Sequence, residues 1–141
     1  MGAKEVLDSR KVEHEVLLGK LIAAKPARFD DALPTTLPKS HGLYAISLIG
    51  AADGEYLHVG KTRDGRSGLL GRTWEQHYKT GGSAGDLVEK VKARGHGADK
   101  GQAQEYIRRN CQVQWVVVED SVARIWAEHY VLSVLRPLWG S

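Results

Sequence analysis

Hydrophobic positions along the chain follow two spacings, and together they predict a mixture of helices and strands. Residues 4–24 and residues 121–135 carry apolar side chains at roughly helical spacing, interleaved with charged ones. Three shorter runs rich in β-branched and aromatic residues, 43–49, 56–59 and 113–118, are typical of strands. The pattern therefore predicts a small sheet with a helix at each end of the chain.

The first two strands are predicted to form a hairpin within the stretch 42–62. Residues 50–54, which include two glycines, supply the turn between them. Alternate side chains of a hairpin share one face, so Tyr44 can stand near Tyr56 or His58. This pairing makes the hairpin the first candidate for a functional site.

The rest of the chain is predicted to be helical or extended. Residues 26–40 contain three prolines and are expected to form an extended connector. Short helices are expected at 69–78, 86–93 and 102–110, separated by loops rich in glycine. We therefore predict an α/β (α+β) fold with a small three-stranded, mainly antiparallel sheet flanked by helices. The expected organisation is an N-terminal helix and connector over residues 1–40, followed by one domain over residues 41–141.

Composition fits an ordinary globular chain. The sequence has 141 residues, of which 42% are hydrophobic and 26% are charged. A single cysteine excludes an internal disulfide, and no run of 18 apolar residues or signal-peptide pattern is present. We expect a cytoplasmic protein with no membrane partner.

Positive charge is concentrated in two segments of the chain. The net charge of +3 is too small to indicate nucleic-acid binding by itself. However, residues 61–72 carry +3 and residues 90–109 carry +4. Two such segments could clamp a polyanion, although solvated loops also give runs of this kind. The candidate nucleic-acid contacts are Arg63, Arg66, Lys90, Lys92, Arg94, Arg108 and Arg109.

Two common kinds of site are excluded by spacing. Gly60-Lys61-Thr62 suggests a phosphate-binding loop, but five residues instead of four separate Gly54 from Gly60. The six histidines and one cysteine match none of the usual zinc-ligand spacings. Neither nucleotide binding nor a structural zinc is therefore expected.

Four short motifs carry a stronger signal when they are taken together. In chain order they are Gly42-Leu43-Tyr44, His58-Val59-Gly60-Lys61-Thr62, Arg72 with His77, and Glu128 followed by Leu135-Arg136-Pro137. This order and spacing, spread over residues 42–139, resembles that of the GIY-YIG endonuclease family. The resemblance implies a metal-dependent endonuclease that hydrolyses DNA phosphodiesters in restriction, repair or the movement of mobile elements.

The same resemblance implies a role for each motif residue. Glu128 is implied to hold Mg²⁺ or Mn²⁺, and Tyr44 to activate water with help from His58 or Tyr56. Arg72 and Lys61 are implied to hold the phosphate oxygens, with His77 assisting. Such roles suit the reaction, because phosphodiester hydrolysis needs a metal, a base and cations around the phosphate.

The chain departs from the family pattern at two places. His58 stands where the second motif has tyrosine, and Tyr56, two residues earlier, is expected on the same strand face. The family separates the arginine and histidine of the third motif by three residues, whereas four separate Arg72 from His77. On an α-helix this change turns the pair from about 40° to about 140° apart.

Other interpretations stay open from the sequence. Without the resemblance, Glu128 would be expected to pair with Arg124 one helical turn away. The departures favour a non-catalytic nucleic-acid-binding module on the same fold, and a protein-interaction domain is a third option. Besides DNA, we consider a homodimer, which would cut both strands, and an additional targeting subunit as partners.

Overall fold

The sheet lies at the centre of the molecule, and the computed structural model describes residues 2–65 and 67–141. Its four strands are β1 Ala27–Arg28, β2 Gly42–Leu48, β3 His58–Lys61 and β4 Cys111–Val117. All neighbouring pairs are antiparallel, in the order β1-β4-β2-β3. Among the described residues, five α-helices accompany the sheet: α1 Ala3–Ala23, α2 Leu33–Thr36, α3 Leu87–Ala93, α4 Lys100–Asn110 and α5 Ser121–Leu135. A π-helix, Leu70–Thr80, follows β3.

This arrangement confirms the predicted α+β class, but the predicted count of three strands is wrong. The additional strand, β1, lies in the segment expected to be an extended connector, and it pairs Ala27 with Val113 and Arg28 with Gln112. Two residues are too few to show an alternating pattern, so sequence spacing gives no sign of this edge strand. The same segment also contains the four-residue helix α2.

Strand β2 is buried on both faces and divides the core in two. Tyr44 and Ile46 pack into one core, together with residues of the π-helix, α3 and α4. Leu43 and Ala45 pack into the other, together with residues of α1 and α5. The sequence of a strand that is covered on both sides is typically a nearly continuous run of apolar residues, as it is in β2.

Arg124 ties α5 to the ends of the two neighbouring strands. The side chain is 2% exposed, and it donates hydrogen bonds to the main-chain oxygens of Thr62 at 3.0 Å and Val118 at 2.9 Å. It also pairs with the carboxylate of Asp64. These contacts fix α5 beside the end of β3, where the motif glutamate is located.

No helix within the described residues has the length and apolar character needed to cross a membrane.

Candidate active site

Pairing between β2 and β3 sets the position of Tyr44. Tyr44 lies opposite Gly60, and Ile46 lies opposite His58, so Tyr44 and His58 share one face of the sheet. Their rings are nearly parallel, with centroids 5.7 Å apart. A Cβ atom on Gly60 would lie 2.4 Å from the hydroxyl oxygen of Tyr44, so only glycine leaves room for the tyrosine ring.

Tyr44 is buried, with 1% of the residue exposed. Three nitrogen atoms, from two imidazole rings and one guanidinium group, surround its hydroxyl oxygen. His77 Nε2 lies 2.6 Å from this oxygen, Arg72 Nε lies at 3.2 Å, and His58 Nε2 lies at 3.4 Å. The four motif residues therefore form one connected cluster, which we call the Tyr44 cluster (Tyr44, His58, Arg72 and His77).

The tautomer of His77 follows from its second ring nitrogen. The main-chain N–H of Leu87, at the start of α3, donates to His77 Nδ1 at 2.8 Å. Because Nδ1 accepts, the proton of the neutral ring is on Nε2, and His77 donates to Tyr44. Arg72 Nε can only donate. Tyr44 thus accepts two hydrogen bonds, one from each of these residues.

The π-helix explains how the unusual spacing of Arg72 and His77 brings both to Tyr44. At its end, the N–H of Gly81 bonds to the carbonyl of Gln76 five residues earlier, at 3.0 Å. Residues five apart share a face in this geometry, whereas an α-helix would separate them. The expected separation of about 140° is therefore wrong, because the helix is not an α-helix.

Arg72 is held in place by two further side chains that sequence reasoning did not assign to the site. Its Nη1 donates to Asp86 Oδ1 at 2.9 Å and to Gln76 Oε1 at 3.0 Å. Asp86 occupies the N-cap position of α3, and its other oxygen accepts from the N–H of Ser83 at 3.0 Å. An aspartate at the start of a predicted helix indicates a capping residue, and this could have drawn attention to Asp86. The pattern did not show that Arg72 lies within hydrogen-bonding distance of Asp86.

Burial controls the proton affinities in the cluster. It raises the pKa of Tyr44 to about 12, while the charge of Arg72 acts in the opposite direction. It lowers the pKa of His58 to about 3, with the charges of Lys90 and Arg72 adding to the effect. Burial also lowers the pKa of His77 well below its usual value. Both imidazoles are therefore neutral near pH 7.

Glu128 lies on α5, which packs against β3 next to Lys61. Burial raises the pKa of the Glu128 carboxyl, and the charge of Lys61 opposes this. The charge of Glu128 in turn acts to raise the pKa of Tyr44. Arg124 does not pair with Glu128 as the alternative interpretation expected, because it pairs with Asp64.

The residues present fit a single divalent cation. Within residues 2–65 and 67–141, no group of three or more His, Cys, Asp or Glu side chains could hold a metal. The resemblance assigns the ion to one carboxylate, that of Glu128, and Mg²⁺ commonly binds one or two carboxylates and keeps several waters. A partly buried carboxylate that has no ion-pair partner among the described residues suits this role.

Tyr56 is not part of the cluster, contrary to the expectation that it shares a face with His58. Its hydroxyl donates to Gln114 Oε1 at 3.0 Å, and its ring packs in the core under α1 and α5. Strand β3 begins only at His58, so the regular alternation of sides does not extend back to Tyr56. His58 is the residue of the second motif that reaches Tyr44.

Most of the basic residues of the segment 90–109 are engaged within the protein. Lys90 is 7% exposed, so its assignment as a surface contact for nucleic acid is wrong; burial behind His58 removes it from the surface. Lys92 pairs with Glu89, and Arg94 stacks on Trp139. Arg108 and Arg109 both pair with Glu105. Arg66 lies outside the described residues.

A cavity of about 480 Å³ opens beside the Tyr44 cluster. Arg63 and Arg72 line it together with Gln76, Ser83 and Asp86. The two arginines give this polar cavity positive charge, and Arg72 is the residue of the Tyr44 cluster that lines it.

Comparison with models of known protein families finds no match for the chain, and none is found among the curated proteins or the solved structures. Any function must therefore be argued from the geometry of the site.

Replacement of Gly60 by alanine tests whether the tyrosine ring needs the space above this residue. We expect Gly60→Ala to lower the free energy of unfolding by about 1–3 kcal/mol, because the new methyl group overlaps the Tyr44 hydroxyl. Urea unfolding measures the change. The control is Gly19→Ala in α1, where nothing lies within 4 Å, and this variant should gain up to about 1 kcal/mol. Equal effects of the two changes would contradict the packing described above.

Neutral imidazoles in the cluster predict a specific pH dependence of stability. Below about pH 6.5 the unfolded chain binds protons at His58 and His77, whereas the folded protein does not. Stability should therefore fall as the pH is lowered from about 6.5, by up to about 1.4 kcal/mol per pH unit for each histidine. Proton NMR should show no titration of either ring between pH 7 and 5, with added imidazole as the pH indicator. A titration midpoint of either ring within that range would contradict the prediction.

Proposed function

We propose that this protein is a metal-dependent endonuclease that hydrolyses DNA phosphodiester bonds. The observation that carries the proposal is the Tyr44 cluster itself. A buried tyrosine hydroxyl accepts hydrogen bonds from Arg72 and His77 and experiences the charge of Glu128. These groups are the ones that the resemblance to GIY-YIG endonucleases implies, and folding brings them together from β2, the π-helix and α5.

In the proposed reaction Tyr44 is the base that takes a proton from the attacking water. An unperturbed phenol has a pKa of about 10, so a tyrosine needs nearby donors and positive charge to serve as a base. The N–H groups of Arg72 and His77 point at the oxygen on which negative charge would develop. His58, the third neighbour of that oxygen, completes its surroundings.

Arg72 and Lys61 are proposed to hold the non-bridging oxygens of the scissile phosphate. Arg72 uses Nε and Nη1 within the protein, and its Nη2 has no hydrogen-bond partner among the described residues. With 26% of its side chain exposed at the cavity, Arg72 can bind an anion without leaving Asp86. Arg63, on the same cavity, is a further candidate for contact with the DNA backbone.

Glu128 is proposed to hold Mg²⁺ or Mn²⁺. When bound, the ion supplies positive charge that stabilises the phosphate and the leaving oxygen. Restriction, repair and movement of mobile elements are all compatible with such an activity. A lone copy of the chain would nick one strand, whereas a homodimer could cut both, and an additional subunit could direct either form to its target.

A non-catalytic nucleic-acid-binding module is the second candidate function. It is favoured by the raised pKa of Tyr44, about 12, because a tyrosine that stays protonated cannot accept a proton from water. The two candidates differ in one observable property, which is metal-dependent cleavage of DNA by the purified protein.

Removal of the proposed metal ligand or base should abolish cleavage. We expect Glu128→Gln and Tyr44→Phe each to slow the nicking of supercoiled plasmid in Mg²⁺ by at least about 100-fold. Both variants should still bind DNA in EDTA, because neither change removes a cation. Agarose gels measure nicking, and mobility shifts measure binding.

The matched control is Glu75→Gln, which removes an exposed carboxylate from the outside of the π-helix. It should cleave at the wild-type rate. Wild-type cleavage by Glu128→Gln, or binding without any cleavage by the wild-type protein, would contradict the proposed function.

A further inference from the structure

Lys90 lies directly behind His58, on the side away from Tyr44. Its Nζ atom lies 2.8 Å from His58 Nδ1, 2.9 Å from the main-chain oxygen of Trp139 and 3.0 Å from that of Ser141. Main-chain oxygens only accept hydrogen bonds, so two of the N–H groups of Lys90 are committed to them. The remaining tetrahedral position of Nζ faces His58.

That position can hold either an N–H group or a lone pair, depending on the charge of Lys90. As an ammonium group, Lys90 donates to Nδ1, and the proton of the neutral His58 ring must then be on Nε2. As an amine, Lys90 accepts from the Nδ1–H of His58. In this second state His58 Nε2 can accept the hydroxyl proton of Tyr44, 3.4 Å away.

No other described neighbour of the Tyr44 hydroxyl can accept its proton. Arg72 Nε donates to the oxygen, and so does His77 Nε2, because the N–H of Leu87 occupies His77 Nδ1. Among the described residues, the hydroxyl proton can therefore pass only to His58.

We propose that Tyr44, His58 and Lys90 form a proton relay in which Lys90 is the final acceptor. As the O–H bond of Tyr44 breaks, an N–H bond forms at His58 Nε2. As the Nδ1–H bond of His58 breaks, an N–H bond forms at Lys90 Nζ. The products are a tyrosinate facing three N–H donors, a neutral His58 with its proton moved to the other nitrogen, and a lysine ammonium.

The catalytic role of this relay rests on the proposed nuclease function. It turns Tyr44 into the form that can take a proton from water, after which the Lys90 ammonium releases its own proton to solvent. Lys90 does not contact the substrate and is a positioning residue that acts through His58.

Burial and two nearby arginines favour the amine form of Lys90 that the relay needs at its start. Arg94 follows α3, Arg72 comes from the π-helix, and both are cations, whereas Asp86 before α3 opposes them. His58, from β3, is neutral. Burial and the two arginines lower the pKa of Lys90 to about 8. Lys90 therefore changes charge close to neutral pH.

Nitrogen-15 NMR of the His58 ring tests the relay without DNA or metal, because the two ring nitrogens report which one carries the proton. We expect the proton on Nε2 below about pH 7 and on Nδ1 above about pH 9, with a midpoint near the pKa of Lys90, about 8. One unchanged tautomer across this range would overturn the relay. That result would leave the proposed nuclease function standing, and a lack of cleavage would not affect the NMR result.

Lys90→Arg separates proton acceptance from charge and hydrogen bonding. The guanidinium group donates but stays protonated, so His58 should keep its proton on Nε2 at every pH. Cleavage should fall at least about 100-fold, and the wild-type increase in rate through about pH 8 should disappear. Lys11→Arg makes the same exchange at an exposed position of α1, outside the proposed site, and as the matched control it should behave as wild type.

Wild-type cleavage by Lys90→Arg with an unchanged pH profile would overturn the relay. If circular dichroism shows that Lys90→Arg does not fold, the pH titration of His58 in the wild-type protein decides the question.

Discussion

The hydroxyl oxygen of Tyr44 is the atom on which the arrangement of the site depends. A buried oxygen must be hydrogen-bonded, and here its hydrogen-bond partners come from separate parts of the chain. Arg72 and His77 lie on the π-helix, and His58 lies on β3. Because His77 is itself held by the first N–H of α3, this one oxygen links four elements of the fold.

Two unusual local features serve this interaction. Because Gly60 has no side chain, the ring of Tyr44 can lie across β3. The π-helix lacks regular α-helical hydrogen bonding, and side chains of residues five apart therefore lie on the same side of the helix. Local rules of packing and helix geometry are commonly broken at functional sites, and both exceptions here lie against the same tyrosine.

Sequence patterns predicted the parts of the fold that are long and regular. The bounds of α5 follow from helical periodicity. Strand alternation predicted either Tyr56 or His58 as the neighbour of Tyr44, and the structure shows that it is His58. The approach of Arg72 and His77 could not be predicted, because a π-helix has no recognised spacing signal. Lys90 was misassigned for a related reason: its place in a basic segment carries no information about burial behind His58.

The central claim is that Tyr44 acts as a base during DNA cleavage. The most direct measurement is the single-turnover rate of plasmid nicking in Mg²⁺ at pH 7 with a ring-fluorinated tyrosine at position 44. Fluorine makes the phenol more acidic, so more tyrosinate is present, and the account predicts faster nicking than with the ordinary residue. An unchanged rate, or no metal-dependent nicking by the unmodified protein, would contradict it.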